Sequence, residues 1–260
     1  VFKRRKENFV KKVQQHHSLD KQTRNEEKPK MKTKQRLIDS LLDLHVKEGL
    51  ISEEDVIREM GGAIFASYDT TSHAMSWSLY LLGRFHKIQE RVYLELEEIF
   101  KNDMNRDITI EDLTKMTYLE CVIKSMRIYP PIPIIARKNP SEMKISNYSL
   151  PANSSLVINI YGIHHNPSVY ENPEVFDPDR FLPEKYKNLH PYAFLAFSAG
   201  PRNCLGRKLA MMKIKIVLAN VLRNFKVYSL DSQDKIVTCF ECVLSPILGI
   251  KMCVEKRSML

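Results

Sequence analysis

The residues best equipped for chemistry lie together in Phe197-Ser-Ala-Gly200-Pro-Arg202-Asn-Cys204-Leu-Gly206, directly before an apolar run that predicts a helix to about Phe225. A cysteine on a glycine-shaped loop at the mouth of a helix faces free backbone N–H groups and the positive end of the helix dipole. Both favour a negative charge, so the sulfur can ionise and ligate a metal. The plainer reading of a lone cysteine before a helix is a buried structural thiol. A second polar group lies far upstream, where Ala66-Ser67-Tyr68-Asp69-Thr70-Thr71-Ser72 interrupts a long apolar-periodic segment.

The elements that must position these groups can be read from periodicity and punctuation. Ser52, with Asp55 at the place of a capping box, opens a helix that runs to about Gly83, longer than globular helices usually are. Its centre is poor in helix formers, because hydroxyl side chains compete for backbone groups, and a distorted turn is expected there. Ile64, Phe65, Met75 and Trp77 flank that centre and imply burial. Residues 86–100 form an amphipathic helix, Thr109 and Asp112 cap a short one, and another runs from Tyr118 to about Ile128 before Pro130-Pro131. Short β-rich runs follow at Ile132–Ala136, Met143–Ile145 and Ser155–Ile160, then a proline-punctuated loop over 165–196, and last two strands near 236–243 and 248–254.

Composition narrows the function classes. Residues 1–36 carry thirteen Lys/Arg and four Asp/Glu, a net of +9 that equals the net charge of the whole chain. The basic character is therefore an end feature, suited to an anionic membrane surface or an acidic partner if it is more than a solvated helix over 1–17 and a linker over 18–34. Nucleic acid is not an expected partner. The five scattered cysteines imply no disulfide framework and fit a reducing compartment. Cys239-Phe-Glu-Cys242, a single pair in a β-rich tail, reads as neither a zinc nor a redox site, and His164-His165 receives no ligand role. There is no Walker or dinucleotide glycine motif, no signal peptide, and no apolar run of the roughly 18 residues that a membrane span needs. The first residue is Val, within a charged helical pattern, so the chain is expected to be a piece of something longer.

The string Phe-x-x-Gly-x-Arg-x-Cys-x-Gly at 197–206 resembles the haem-binding loop of the cytochromes P450 at every fixed position. Ala66-Ser-Tyr-Asp69-Thr70-Thr71 is similar to that family's oxygen-activation turn. Arg127-Ile-Tyr-Pro-Pro, Arg137 and Phe176-Asp-Pro-Asp-Arg180-Phe181 follow in the family's order. Leu119-Glu-Cys-Val-Ile-Lys and Ile110-Glu-Asp-Leu113 look most like family 4, the microsomal, fatty-acid ω-hydroxylase-type branch. The resemblance implies a mainly α fold with small β-sheets, the C-terminal part of a P450 domain over 35–260, without its N-terminal half or membrane anchor. It implies haem b with Cys204 as the axial thiolate, pushing electron density that favours O–O cleavage. Phe197 would pack on the thiolate side, and Gly200 and Gly206 would admit backbone close to the haem. Arg137 and Arg202 would pair with its propionates, and Asp69 and Thr70 would be the acid–alcohol pair that delivers protons to dioxygen. By the same resemblance the enzyme is a monooxygenase of fatty acids, lipid hormones or xenobiotics at the cytosolic face of the endoplasmic reticulum membrane. Electrons would come from NADPH through NADPH–cytochrome P450 reductase, with cytochrome b5 a further partner. Arg207 and Lys208 are candidates for docking an acidic reductase.

The chain departs from the family pattern in three ways, of which the first and third favour an alternative, a truncated or degenerate P450 without haem. The family carries Glu three residues before the arginine at 127, and this chain has Lys124. Glu120 lies roughly 10 Å away along a helix, beyond i, i+3 pairing, which would leave Arg127 and Arg180 buried without a carboxylate. Ser67 replaces a glycine and crowds the oxygen pocket, and Ala66 replaces the glutamate that esterifies haem in many family-4 members, so no covalent haem link is expected. The third departure is that only the C-terminal half of the pattern is present. Peroxide rearrangement without a reductase is disfavoured, since Asp69-Thr70 is retained.

Overall fold

The computed structural model describes residues 2–20, 36–101 and 103–257. The linker expected over 18–34 lies outside them from residue 21 onward, and residues 18–20 continue the first helix. The chain forms two compact units, Val1–Ala66 and Ser67–Leu260.

The first unit contains helix α1 (Phe2–Asp20), α2 (Leu37–Leu42), a wider turn at Asp43–Lys47, and the start of α3 (Glu53–Arg84). Part of the basic excess is used here: Arg5 binds the Asp39 carboxylate through two nitrogens, and Lys6 pairs with Glu53. The capping box stands as expected. Asp55 N–H donates to Ser52 Oγ at 3.1 Å and Ser52 N–H to Asp55 Oδ2 at 3.0 Å, which satisfies backbone donors the first turn leaves free.

The second unit holds the rest of α3, then α4 (His86–Phe100), α5 (Ile110–Lys115) and α6 (Thr117–Lys124), a 3-10 turn at Ser125–Ile128, strands β1 (Ile134–Lys138), β2 (Met143–Ile145), β3 (Tyr148–Leu150) and β4 (Ser155–Asn159), helices α7 (Ile160–His164), α8 (Pro183–Tyr186) and α9 (Arg207–Asn224), and strands β5 (Phe225–Ser229), β6 (Thr238–Phe240), β7 (Leu244–Pro246) and β8 (Met252–Lys256). The strands make four antiparallel pairs, β1 with β4, β2 with β3, β5 with β8 and β6 with β7. The fold is mainly helical with small sheets. Gln89, Val92, Leu96 and Phe100 recur at helical spacing and bury one stripe of α4 in a core shared with α6 and α9.

Two differences from the sequence reading have physical causes. The helix over 118–128 is α-helical only to Lys124 and closes as a 3-10 turn, which fits the chain to the Pro130-Pro131 exit with fewer residues per turn. The polar centre of α3 carries no break: the helix is continuous through 66–72, and Ser72 Oγ and His73 Nδ1 both bond the carbonyl of Asp69 at 2.9 Å. The side chains add to the helix bonds there instead of replacing them.

Around the end of α3 the packing is set by buried polar groups with satisfied partners. The Trp77 indole N–H donates to Leu244 O at 3.0 Å while its ring stacks on Tyr129 at 4.2 Å. The Gln89 amide donates to Leu82 O and Val227 O, each at 2.9 Å, and accepts from Val227 N–H at 3.0 Å. The close approach of β5 to α3 requires a glycine. A Cβ on Gly83 would lie 2.5 Å from Ser229 Oγ and 2.7 Å from its backbone nitrogen, whereas one on Gly62 would meet nothing. Alanine ordinarily stabilises a helix interior over glycine by roughly 1 kcal/mol. Gly62→Ala is expected to follow that rule, and Gly83→Ala to lower stability by about 1–3 kcal/mol through overpacking. Urea midpoints for the two variants should therefore move in opposite directions.

Candidate functional site

The cysteine loop is built by backbone conformations that few residues adopt. Ser198 and Gly200 both sit at positive φ, +57° and +76°, and Gly200–Arg202 then make a 3-10 turn. The Cys204 N–H donates to Phe197 O at 2.9 Å and closes the loop at its base. Gly206 is the N-cap residue before α9, its carbonyl accepting from Ala210 N–H at 2.8 Å. Cys204 is exposed, and Leu205 beside it is 96% exposed. A Cβ on Gly206 would stand 3.9 Å from the Cys204 sulfur, an ordinary van der Waals contact. Positive φ, and not crowding, explains glycine at 200, where a Cβ would meet nothing.

Arg137 reaches the loop from β1. Its guanidinium donates to Ser198 Oγ at 3.3 Å and to the Arg202 carbonyl at 3.4 Å, besides its neighbour Ala136 O at 2.8 Å. Arg202 itself is exposed, and Arg207 lies over the Phe197 ring at 5.7 Å. The structure thus brings Arg137, Phe197, Gly200, Arg202, Cys204 and Gly206 into one loop and its neighbouring strand. Asp69 and Thr70 lie on α3, and Asp69 connects elsewhere: its Oδ1 is 3.5 Å from His73 Nδ1, and His73 Nε2 is 2.8 Å from Ser245 Oγ on β7. Sequence reasoning missed both partners. His73 was detectable as i+4 to Asp69, but Ser245 is 172 residues from His73 and carries no local signal.

Under the loop lies a buried arginine. The Arg127 guanidinium donates to His164 O at 2.8 Å and Val175 O at 3.4 Å, and covers the Tyr170 ring at 4.5 Å. Burial, and then the charge of Arg180, lower its pKa to about 10. No carboxylate pairs with Arg127 among the described residues, as the Lys124 departure predicted. Arg180 differs from expectation: it is only half-buried, its Nε lies 3.6 Å from Asp177 Oδ2, and its Nη2 donates to Asn172 O at 3.1 Å. Glu120, too distant for Arg127, bridges Lys124 at 3.0 Å and Lys215 at 2.8 Å. Burial disfavours its charge, but hydrogen bonds from the two lysines prevail and hold its pKa below the usual value. His164 completes the path to the loop, its Nε2 accepting from Leu195 N–H at 2.9 Å.

Among the described residues no group of three or more His, Cys, Asp or Glu could hold a metal ion. A metal at Cys204 therefore has to bring most of its ligands with it, as a porphyrin does. The exposed cysteine and a guanidinium fixed beside the loop fit such a group.

The comparisons agree. The cytochrome P450 family model matches residues 1–254, and the chain belongs to the cytochrome P450 family. Cytochrome P450 4c3 of Drosophila melanogaster is 39% identical over 221 residues, covering 85% of this chain and 41% of that protein. Cytochrome P450 4V2 of Mus musculus is 38% identical over 231 residues, covering 88% and 44%. A retinoic acid-bound cyanobacterial CYP120A1 superposes with a TM-score of 0.69 at 27% identity, over 74% of this chain and 44% of that one. These curated relatives are family 4 members, and the chain spans less than half their length. No helix among the described residues is long and apolar enough to cross a membrane.

His164 gives the site a pH signature. Burial first, then the Arg127 charge, push its pKa down to about 3, so the unfolded chain binds a proton that the folded one refuses. Stability from this group is complete above about pH 6.5 and is lost as pH falls. Between pH 6.5 and 5 the loss should be about 2 kcal/mol, and His164→Gln should remove that slope in urea unfolding followed at both pH values.

Proposed function

We propose that this chain is the haem-bearing part of a P450 monooxygenase, residues 35–260 forming the C-terminal portion of its haem domain. The reaction inserts one atom of dioxygen into an apolar substrate of the fatty acid, lipid hormone or xenobiotic class. The observation that carries this reading is the exposed Cys204 on a loop that the Arg137 guanidinium joins through Ser198 Oγ and the Arg202 carbonyl. Haem b, when bound, supplies the iron at which dioxygen is reduced. The Cys204 sulfur would hold that iron, and the N–H bond from Cys204 to Phe197 O fixes the loop that carries it. Arg137, anchored on Ser198 and the Arg202 carbonyl, and the exposed Arg202 side chain would bind propionates. Asp69 and Thr70 would hold and pass the protons that reduced dioxygen consumes.

Electrons from NADPH–cytochrome P450 reductase, or cytochrome b5, suit the surface behind the loop. A concavity of about 390 Å³ there is lined by Phe197, Arg207, Lys208 and Lys124 among others, and its cations would meet an acidic partner. The membrane of the endoplasmic reticulum is the proposed location, on the strength of the family-4 relatives. A second reading, a degenerate P450 that holds no haem, is favoured by one observation: Arg127 is buried on carbonyls and a ring with no carboxylate among the described residues.

The reduced carbon monoxide difference spectrum separates the two. A Soret band at the thiolate-ligated position, lost in Cys204→Ala, is expected for the enzyme, whereas absence of haem in the unaltered chain establishes the degenerate form.

A further inference from the structure

We propose that His73 and Ser245, with Asp69, form a proton relay into the acid–alcohol pair of the central helix, an inference that rests on the monooxygenase reading above. His73 Nδ1 lies 2.9 Å from the Asp69 carbonyl oxygen and 3.5 Å from its Oδ1. A carbonyl only accepts, so Nδ1 carries the hydrogen and Nε2 offers the lone pair. Ser245 Oγ, 2.8 Å from Nε2, must then be the donor. With a neutral ring the hydrogens run from Ser245 to the ring and from the ring to Asp69, whose backbone carbonyl takes the Nδ1 hydrogen while its carboxylate Oδ1 lies 3.5 Å from the same nitrogen.

The contact is held by its surroundings. Leu244, next to Ser245, takes the Trp77 indole N–H on its carbonyl at 3.0 Å and donates its own N–H to Pro131 O at 2.8 Å. Trp77 is fully buried and one helical turn beyond His73, so the same helix fixes both ends of the contact. The side chains of His73 and Asp69 keep 22% and 19% exposure, which leaves them sheltered from bulk water yet not sealed.

One turnover of the relay balances. Dioxygen reduced by two electrons takes up two protons when one of its atoms leaves as water. After Asp69 gives up a proton, the Nδ1 hydrogen leaves its bond to the Asp69 carbonyl and passes to the carboxylate as Oδ1 closes from 3.5 Å, Nε2 takes the Ser245 hydroxyl hydrogen, and the serine oxygen takes one from hydronium. The net change is one proton from solvent to carboxylate. The imidazole ends in its other tautomer and resets by exchange with water. A hydroxyl both donates and accepts, so Ser245 can pass each proton without charging.

The test has two arms. Nitrogen-15 imidazole spectra of the chain should show His73 in the Nδ1–H tautomer, with the Nε2 resonance moved by Ser245→Ala; an Nε2–H ring, or a resonance indifferent to that variant, would overturn the relay without reference to haem. In the haem-loaded protein, Ser245→Ala and His73→Phe should each raise the share of reduced dioxygen escaping as hydrogen peroxide several-fold, and Ser245→Thr should restore it. A merely structural tie predicts lower stability with unchanged peroxide release, and that result, with a normal carbon monoxide spectrum, sinks the relay alone. No haem in the unaltered protein sinks the monooxygenase reading instead.

Discussion

Burial of the Arg127 guanidinium is the constraint on which the second unit depends. A charge removed from water must find partners or lose its proton, and uncompensated burial costs several kcal/mol per ion. With Lys124 in place of a carboxylate, the compensation comes from dipoles: two carbonyl oxygens and the face of Tyr170. Those partners lie on α7 and on the segment that follows it, so satisfying one cation pins pieces of chain separated by up to 48 residues. From there the His164 ring hands the constraint to Leu195, two residues before Phe197. The cysteine loop is thus hung, through neutral hydrogen bonds, from a buried positive charge.

The same region shows how the chain redistributes charge when a partner is absent. Glu120 cannot reach Arg127, but it bridges Lys124 and Lys215, two cations that would otherwise crowd α6 and α9. Lys215 is nearly buried and also donates to Leu113 O at 2.9 Å, so its charge is met on two sides. A carboxylate between two ammonium groups is worth more than an exposed pair, because partial burial weakens solvent screening. The lost glutamate therefore leaves one arginine on dipoles and not a cluster of unpaired cations.

The sequence was legible wherever function or fold is written locally. The caps at Ser52 and Thr109, the α4 stripe and the cysteine loop all depend on residues within a few positions of one another, and each stands as the spacing predicted. Local rules failed where neighbours compete. The weak centre of α3 predicted a distortion, but Ser72 and His73 bond back to the Asp69 carbonyl without breaking the helix. Strand β5 was not read from the sequence at all, because its hydrogen bonds go to β8, whose sequence is distant. Arg180 read as an unpaired buried cation, and Asp177, three residues before it, supplies the carboxylate.

By itself the sequence singled out Cys204 on its glycine-shaped loop and determined the family, since both rest on residue types at short fixed spacings. The tertiary structure alone decided which groups share their charges and protons. Arg137 with Ser198, Glu120 with Lys215, and His73 with Ser245 are separated by 61, 95 and 172 residues. Such pairs leave no periodic trace, because chain closure brings them together only after the helices have packed. The cysteine loop could be read before folding; the polar network that supports and serves it could not.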